Sequence, residues 1–162
     1  MVIHFRTLIC AAAFLTCTAT PSLILAAEND VIDAMMFKEI CAETLPSFNR
    51  APKVLKSMPF DQDTSTKAYH HRNINMTVQI GKLNGELTCR MTIVNEGMDS
   101  KSPMMFAVAA FSEVWESDNM VVTEFEDSGH LVIRHPKGHI FQADFTAKGG
   151  KKVFVAMIRA AQ

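Results

Sequence analysis

Recognisable catalytic motifs are missing from this chain. It contains no Gly-x-Ser-x-Gly sequence, which presents a nucleophilic serine, and no His-Glu-x-x-His pair, which holds a catalytic metal. We do not interpret Gly149-Gly150 as part of a phosphate-binding loop, because no helix start follows it. These absences favour a non-catalytic binding domain over an enzyme, and they give no reason to predict a cofactor.

An excess of charge of either sign is also lacking. The chain carries 16 Lys and Arg against 17 Asp and Glu, and no basic run stands out. Domains that bind nucleic acid present clustered positive charge to the phosphates, so this composition predicts no nucleic acid partner. A basic helix face that would attract a membrane surface is missing as well.

Long apolar runs are confined to the N-terminus. Arg6 is followed by an apolar run from Thr7 to Cys17, and Ile24 to Ala27 ends in small residues ahead of polar ones. This order is typical of a secretory signal, with cleavage predicted after Ala26 or Ala27. An uncleaved anchor is the alternative, but several Thr residues interrupt the stretch of about 20 apolar residues that a span requires.

The predicted organisation is a signal peptide over residues 1–27 and one α+β domain over residues 28–162. About 135 residues are enough to bury a substantial core. Because the signal would direct export, we predict a secreted or periplasmic protein, and no stable membrane span after the signal is removed.

Cysteine is scarce, with four residues in the chain. Cys10 and Cys17 lie in the predicted signal, which leaves Cys41 and Cys89 in the domain. An isolated pair in an oxidising compartment predicts a disulfide. The alternative is two buried thiols that never meet. A redox-active pair is disfavoured because the chain has no Cys-x-x-Cys sequence.

The turn signal Asn84-Gly85 predicts a β-hairpin over Ile74–Val94. Asn followed by Gly tolerates the positive φ angles of a two-residue type I′ turn. With this turn at the tip, apolar residues face one another on one side of the ladder: Met76 opposite Ile93, Val78 opposite Met91, and Ile80 opposite Cys89. The other side is mostly polar, so the register is well specified.

The remaining pattern predicts an α+β fold, an antiparallel sheet of about six to seven strands with two main helices packed on it. The helices are expected at Val31–Thr44 and Ser102–Ser117, with a short third one at Arg50–Ser57. Other strands are expected at Thr66–Arg72, Met120–Glu126, Leu131–His135, His139–Thr146 and Lys152–Ala160. Each half has a helix followed by strands, but no sequence period supports a repeat.

Helical spacing gives each main helix a predicted core face. In the first helix that face holds Phe37, Ile40, Cys41 and Leu45, and Lys38 points elsewhere. In the last helix it holds Met104, Val108, Phe111 and Trp115. Cys41 on a buried helix face and Cys89 on the packed face of the hairpin support their pairing.

Histidines are the candidate metal ligands. His135 and His139 flank a Pro-Lys-Gly turn, and a third ligand would come from His130, His71 or Asp144. His70 and His71 are adjacent on a predicted strand and so point to opposite faces. The competing interpretation makes these histidines surface residues. The chain's methionines could bind copper, but core packing explains most of them.

Three functional hypotheses follow. The first is a small secreted or periplasmic domain without catalysis that binds a protein or a small ligand. The second is a metal-handling protein that holds Zn or Cu through the histidines. The third is a hydrolase whose site has no sequence signature. Ser128, His130 and Asp144 could form such a site, but chains of this length commonly contain such a trio.

Overall fold

The structure, a computed structural model, describes residues 31–112 and 121–161. The predicted signal peptide and its cleavage site lie outside these residues, as does Trp115. Helix α1 is α-helical over residues 31–37 and continues as a π-helix, Lys38–Ala42. Helix α2 is Ala51–Ser57 and helix α3 is Ser102–Phe111. None of the helices in this part of the chain is long and apolar enough to cross a membrane.

A single antiparallel sheet of eight strands forms the other layer. The strands are β1 Phe60–Gln62, β2 Tyr69–His71, β3 Met76–Leu83, β4 Glu86–Val94, β5 Val121–Glu126, β6 His130–Arg134, β7 Ile140–Lys148 and β8 Lys151–Arg159. Their order across the sheet is β1-β2-β3-β4-β8-β7-β6-β5. The α+β class and the antiparallel sheet are therefore as predicted.

The element count differs from the prediction of six to seven strands and two main helices. Strand β1 lies just after Pro59, outside the predicted strands, and it pairs with β2 over only three residues. Such a short edge strand has too few residues to show an alternating pattern. Helix α2 has seven residues and completes a set of three helices.

The predicted hairpin register is confirmed. Met76 pairs with Ile93, Val78 with Met91, and Ile80 with Cys89. Asn84 and Gly85 have φ angles of 51° and 88°, as a type I′ turn requires. Local turn chemistry and side-chain alternation therefore agree, and the register follows from both.

The two halves of the sheet share one topology, although no sequence period accompanies it. Each half is a helical segment followed by a four-stranded meander, and the last strands, β4 and β8, pair at the centre. Gly149 and Gly150 form a second two-residue turn with positive φ. Met91 lies six positions after Gly85, and it pairs with Ala156, six positions after Gly150. An approximate two-fold axis that relates the two halves of the sheet therefore passes between β4 and β8.

A disulfide links the helical layer to the sheet in the first half. Cys41 of α1 and Cys89 of β4 are bonded, with a Cα–Cα distance of 5.6 Å. Phe154 occupies on β8 the position that Cys89 occupies on β4, and its ring lies 4.8 Å from that of Phe106 on α3. The same place in the topology therefore carries a covalent link in one half and an aromatic contact in the other.

Helix α1 departs from the predicted helical spacing. Phe37, Ile40 and Cys41 are buried as expected, but Lys38 is only 7% exposed. The amide of Glu43 donates to the carbonyl of Lys38, five positions back, which gives a wide π turn. This turn rotates the side chains relative to an α-helix, so the expectation that Lys38 points outward is wrong.

Helix α3 packs on a different face from the one predicted. Phe111 is buried as expected, but Met104 is only partly buried and Val108 is 56% exposed. Phe106 and Ala110 are buried against the sheet and α1 instead. The helix has no charged residue, so its sequence offers no polar face from which to infer the buried one.

The two faces of the sheet have different surroundings. Strand β8 lies at the centre of the sheet, and Phe154, Ala156 and Ile158 are buried on the helix side. On the opposite side, Val155 and Met157 are only half-buried although this strand is apolar on both faces. Their cross-strand neighbours include polar and charged residues, so this face is mixed in character.

Candidate functional site

The larger of two described cavities lies between α1 and the ends of β3 and β4 that are remote from their hairpin turn. Its volume is about 620 Å³, within the range of small-molecule sites, about 300 to 1,000 Å³. Six lining residues are apolar: Ile32, Met36, Pro59, Ile74, Ile93 and Val94. The other five are polar: Asp33, His71, Asn73, Asn75 and Asn95.

The apolar wall of this cavity includes side chains that the core leaves uncovered. Ile32 is 51% exposed and Ile74 is 43% exposed, whereas Ile93 is buried. Exposing two large aliphatic side chains beside a concave surface costs solvation free energy that a bound apolar group would recover. The wall therefore suits an apolar ligand body.

His71 shapes the rim of the cavity. The backbone amides of Asn73 and Ile74 both donate to its Nδ1 atom, each at 3.2 Å. Burial lowers the pKa of His71, and the positive charge of Arg72 adds to this effect. With Nδ1 accepting, the neutral ring carries its proton on Nε2, which makes His71 a neutral donor near pH 7.

The lining of the larger cavity contains an acidic residue but no Lys or Arg. Asp33 is a lining carboxyl group and is only 4% exposed, while no Lys or Arg belongs to the lining. Three Asn side chains, Asn73, Asn75 and Asn95, add amide donors and acceptors. A carboxylate ligand would meet no cation here, so the lining favours a neutral or positively charged polar end.

His135 and His139 lie together, as the turn between them suggested. Their ring centroids are 5.8 Å apart, and the amides of Lys137 and Ala161 donate to Nδ1 of His135 and His139 respectively. The pKa of His139 is lowered, first by burial and then by the positive charges of His135 and Lys137. Both Nδ1 atoms are therefore engaged, so a metal ligand from this pair would have to be an Nε2 atom.

The remaining predicted ligands lie elsewhere. His130 is five positions before His135 along an extended segment, a separation of about 16 Å, and His71 belongs to the other half of the sheet. Among residues 31–112 and 121–161, no group of three or more His, Cys, Asp or Glu side chains is placed to hold a metal. Zinc or copper binding by these histidines stays a prediction, and the distances do not favour it.

His130 instead joins two carboxylates on the sheet face opposite the helices. Its Nδ1 atom is 2.6 Å from Asp144 and its Nε2 atom is 3.4 Å from Glu124. The hydrogen bond with Asp144 is the main cause that raises the pKa of His130. The hydroxyl of Ser128 donates to Glu126 rather than to His130. Ser128, His130 and Asp144 are therefore not arranged as the nucleophile, base and supporting acid of a hydrolase.

This pairing predicts a pH-dependent contribution to stability. The folded pKa of His130 lies above its ordinary value of about 6.5, so the contribution is complete below that pH. It is lost as the pH rises through the folded pKa. Urea unfolding at pH values on both sides of this window should show wild type losing more stability than His130→Gln as the pH rises.

His70→Gln is the matched control for this experiment, because His70 is an exposed histidine on β2 whose Nδ1 atom lies 3.2 Å from the hydroxyl of Thr77 rather than beside a carboxylate pair. It should keep the wild-type pH dependence. If His130→Gln and wild type lose stability in parallel, the pairing with Asp144 and Glu124 makes no contribution through protonation.

The cavity was not identified from the sequence. Its polar lining includes Asn73, Asn75 and Asn95, which surround the ends of the hairpin strands and could have served as a signal.

No protein-family model matches the chain, and neither the curated proteins nor the solved structures give a significant match.

Proposed function

We propose that this protein is a secreted or periplasmic, non-catalytic domain that binds a small molecule between α1 and the β3–β4 ends. The ligand has an apolar body and a neutral or positively charged polar end. The observation that carries the proposal is the cavity of about 620 Å³, with apolar walls and a few polar groups. The disulfide supports the proposed compartment, because such bonds persist in oxidising environments.

The ligand's polar end follows from the groups that would meet it. The Asn amides can accept a hydrogen bond from a hydroxyl, amide or ammonium group, and the neutral ring of His71 can donate one. An anionic headgroup would lose its hydration without gaining a cationic partner, and this loss is costly in a partly buried site. Fatty alcohols should therefore bind better than fatty acids of the same length.

Displacement of Nile red, a neutral fluorescent dye, tests this proposal. Bound dye should be displaced by 1-decanol, and decanoate should compete at least about tenfold less well, a difference of about 1.4 kcal/mol. Ile74→Trp puts a larger side chain in the wall and should weaken dye binding by at least about tenfold, because it fills the space that the ligand uses.

Val108→Trp is the matched control, because Val108 is an exposed aliphatic residue of α3 outside the cavity lining. It should leave dye binding within about twofold of wild type. Failure of the dye and of decanol to bind would overturn the small-molecule proposal and turn attention to a protein partner. Equal weakening by both Trp variants would place the dye outside this cavity.

A further inference from the structure

A second cavity lies beside the β3–β4 hairpin turn, between the β1–β2 loop and strands β3 and β4. Its volume is about 240 Å³, several times the roughly 30 Å³ share of one water molecule. Gln79, Thr88 and Arg90 contribute to it from β3 and β4, and the loop contributes Thr66 and Lys67. By strand alternation, these β3 and β4 residues face away from Cys89 and hence from the helices.

The charge of this lining is entirely positive. Lys67, Lys82 and Arg90 belong to it, and none of its nine residues is acidic. The nearest carboxylates along the chain are already bonded. Asp63 accepts from Ser65 and Thr66, while Glu86 accepts from Arg159 at 3.1 Å. Three cations from three chain segments therefore line this cavity, and its lining contains no acidic partner for them.

Arg90 also has an unmet hydrogen-bonding requirement. Within the described part of the chain, the buried side-chain nitrogen and oxygen atoms without a protein partner are the Nε atoms of Arg90 and Arg159. Arg159 pairs with Thr88, so the two arginines lie diagonally across neighbouring strands on the same face. A buried donor on a charged group is costly to leave unpaired, and an acceptor at this place would remove the cost.

The loop that supplies Lys67 is fixed by its own hydrogen bonds. One carboxylate oxygen of Asp63 accepts from the amide and the hydroxyl of Ser65, both at 2.7 Å, and these bonds lower the pKa of Asp63. The amide of Lys67 donates to the carbonyl of Asp63, and Lys67 itself has a φ of 62°. A left-handed lysine is uncommon, so the loop holds Lys67 at a defined place in the lining of this cavity.

We propose that this cavity binds a small oxyanion of charge −2, of the phosphate type. Arg90 would supply its guanidinium N–H donors from the sheet and Lys67 an ammonium group from the loop, while Lys82, which alternates to the other face of β3, adds positive charge at the edge of the cavity. Arginine and lysine form short, charge-assisted hydrogen bonds with phosphate oxygens, and a dianion matches several converging cations better than a monoanion does. The site is separate from the larger cavity, whose lining has no cation.

Calorimetric titration of the oxidised, full domain with inorganic phosphate tests the proposal, with ionic strength held constant by sodium chloride. Wild type should bind phosphate, and at least about tenfold more tightly than acetate. Lys67→Asn combined with Lys82→Gln should weaken phosphate binding by at least about tenfold, since asparagine tolerates the left-handed conformation at position 67. Arg90→Met should abolish binding, and it also removes the buried, unpaired Nε donor at position 90.

Lys148→Gln combined with Lys151→Gln is the matched control, because it removes two charges at the equivalent hairpin of the second half. Its phosphate affinity should stay within about twofold of wild type. Absence of phosphate binding by wild type, equal binding of acetate, or an equal loss in this control would each overturn the proposal. If Arg90→Met does not fold, the Lys67 and Lys82 variant still decides the outcome.

Discussion

Replacing Cys41 and Cys89 together by alanine is expected to lower the free energy of unfolding by about 4 kcal/mol. The disulfide closes a loop with a sequence separation of 48, and in the chain-entropy model such a cross-link removes about this much conformational freedom from the unfolded state. A domain of this size is commonly stable by only about 5 to 15 kcal/mol. The variant should therefore be close to its limit of stability.

Urea unfolding under oxidising and reducing conditions measures this effect. Wild type treated with dithiothreitol should approach the stability of the double alanine variant, and the reductant should leave that variant unchanged. Equal stability of the oxidised wild type and the variant would show that packing between α1 and β4, rather than the cross-link, holds these elements together.

Phe37→Ala is expected to cost about 3 to 5 kcal/mol of stability. Phe37 is completely buried in α1, and its ring lies edge-on to three others: Phe106 at 5.5 Å, Phe111 at 6.2 Å and Phe141 at 5.7 Å. Truncation removes the buried ring surface and leaves a cavity that rigid neighbours cannot close. Because Phe37 joins α1, α3 and β7, the loss should affect both halves.

Met105→Ala is the control for this prediction, because Met105 is 62% exposed on α3. It should change stability by less than about 0.5 kcal/mol. Chemical denaturation of both variants, followed by far-UV circular dichroism, gives the comparison. A loss below about 1 kcal/mol for Phe37→Ala would mean that the surrounding rings repack into the space.

The two proposed sites lie in different settings and call for opposite ligands. The larger cavity opens beside α1, with Asp33 and no cation in its lining, whereas the smaller one has three cations and no acid. A ligand with an apolar body and an anionic end would suit neither cavity as a whole. Its anionic end would find no cation in the larger cavity, and the smaller cavity is proposed for a small dianion without an apolar body. The titrations with decanol and with phosphate should therefore be independent, so one proposal can fail without the other.

The strongest sequence-based predictions were those that depended on local chemistry. Asn84-Gly85 selected one turn type, and alternation on both flanking strands then allowed one register, which the structure has at every predicted apolar pair. The disulfide followed from a pair of cysteines that each lay on a predicted core face. Turn geometry and side-chain period act over a few residues, so the sequence alone contains them.

The tertiary structure decided the features that depend on distant partners. Pairing of β4 with β8, the π turn that buries Lys38, and the face of α3 that meets the sheet all come from packing between segments far apart in the chain. Both cavities also belong to this group. Ile74 and Asp33, or Lys67 and Arg90, become neighbours only when the helix or loop is placed on the sheet. The sequence by itself determined the longer strands, the Asn84-Gly85 turn and the cross-link, because those depend on local geometry. Only tertiary packing decided which surfaces stayed uncovered, because that depends on how the completed layers fit together.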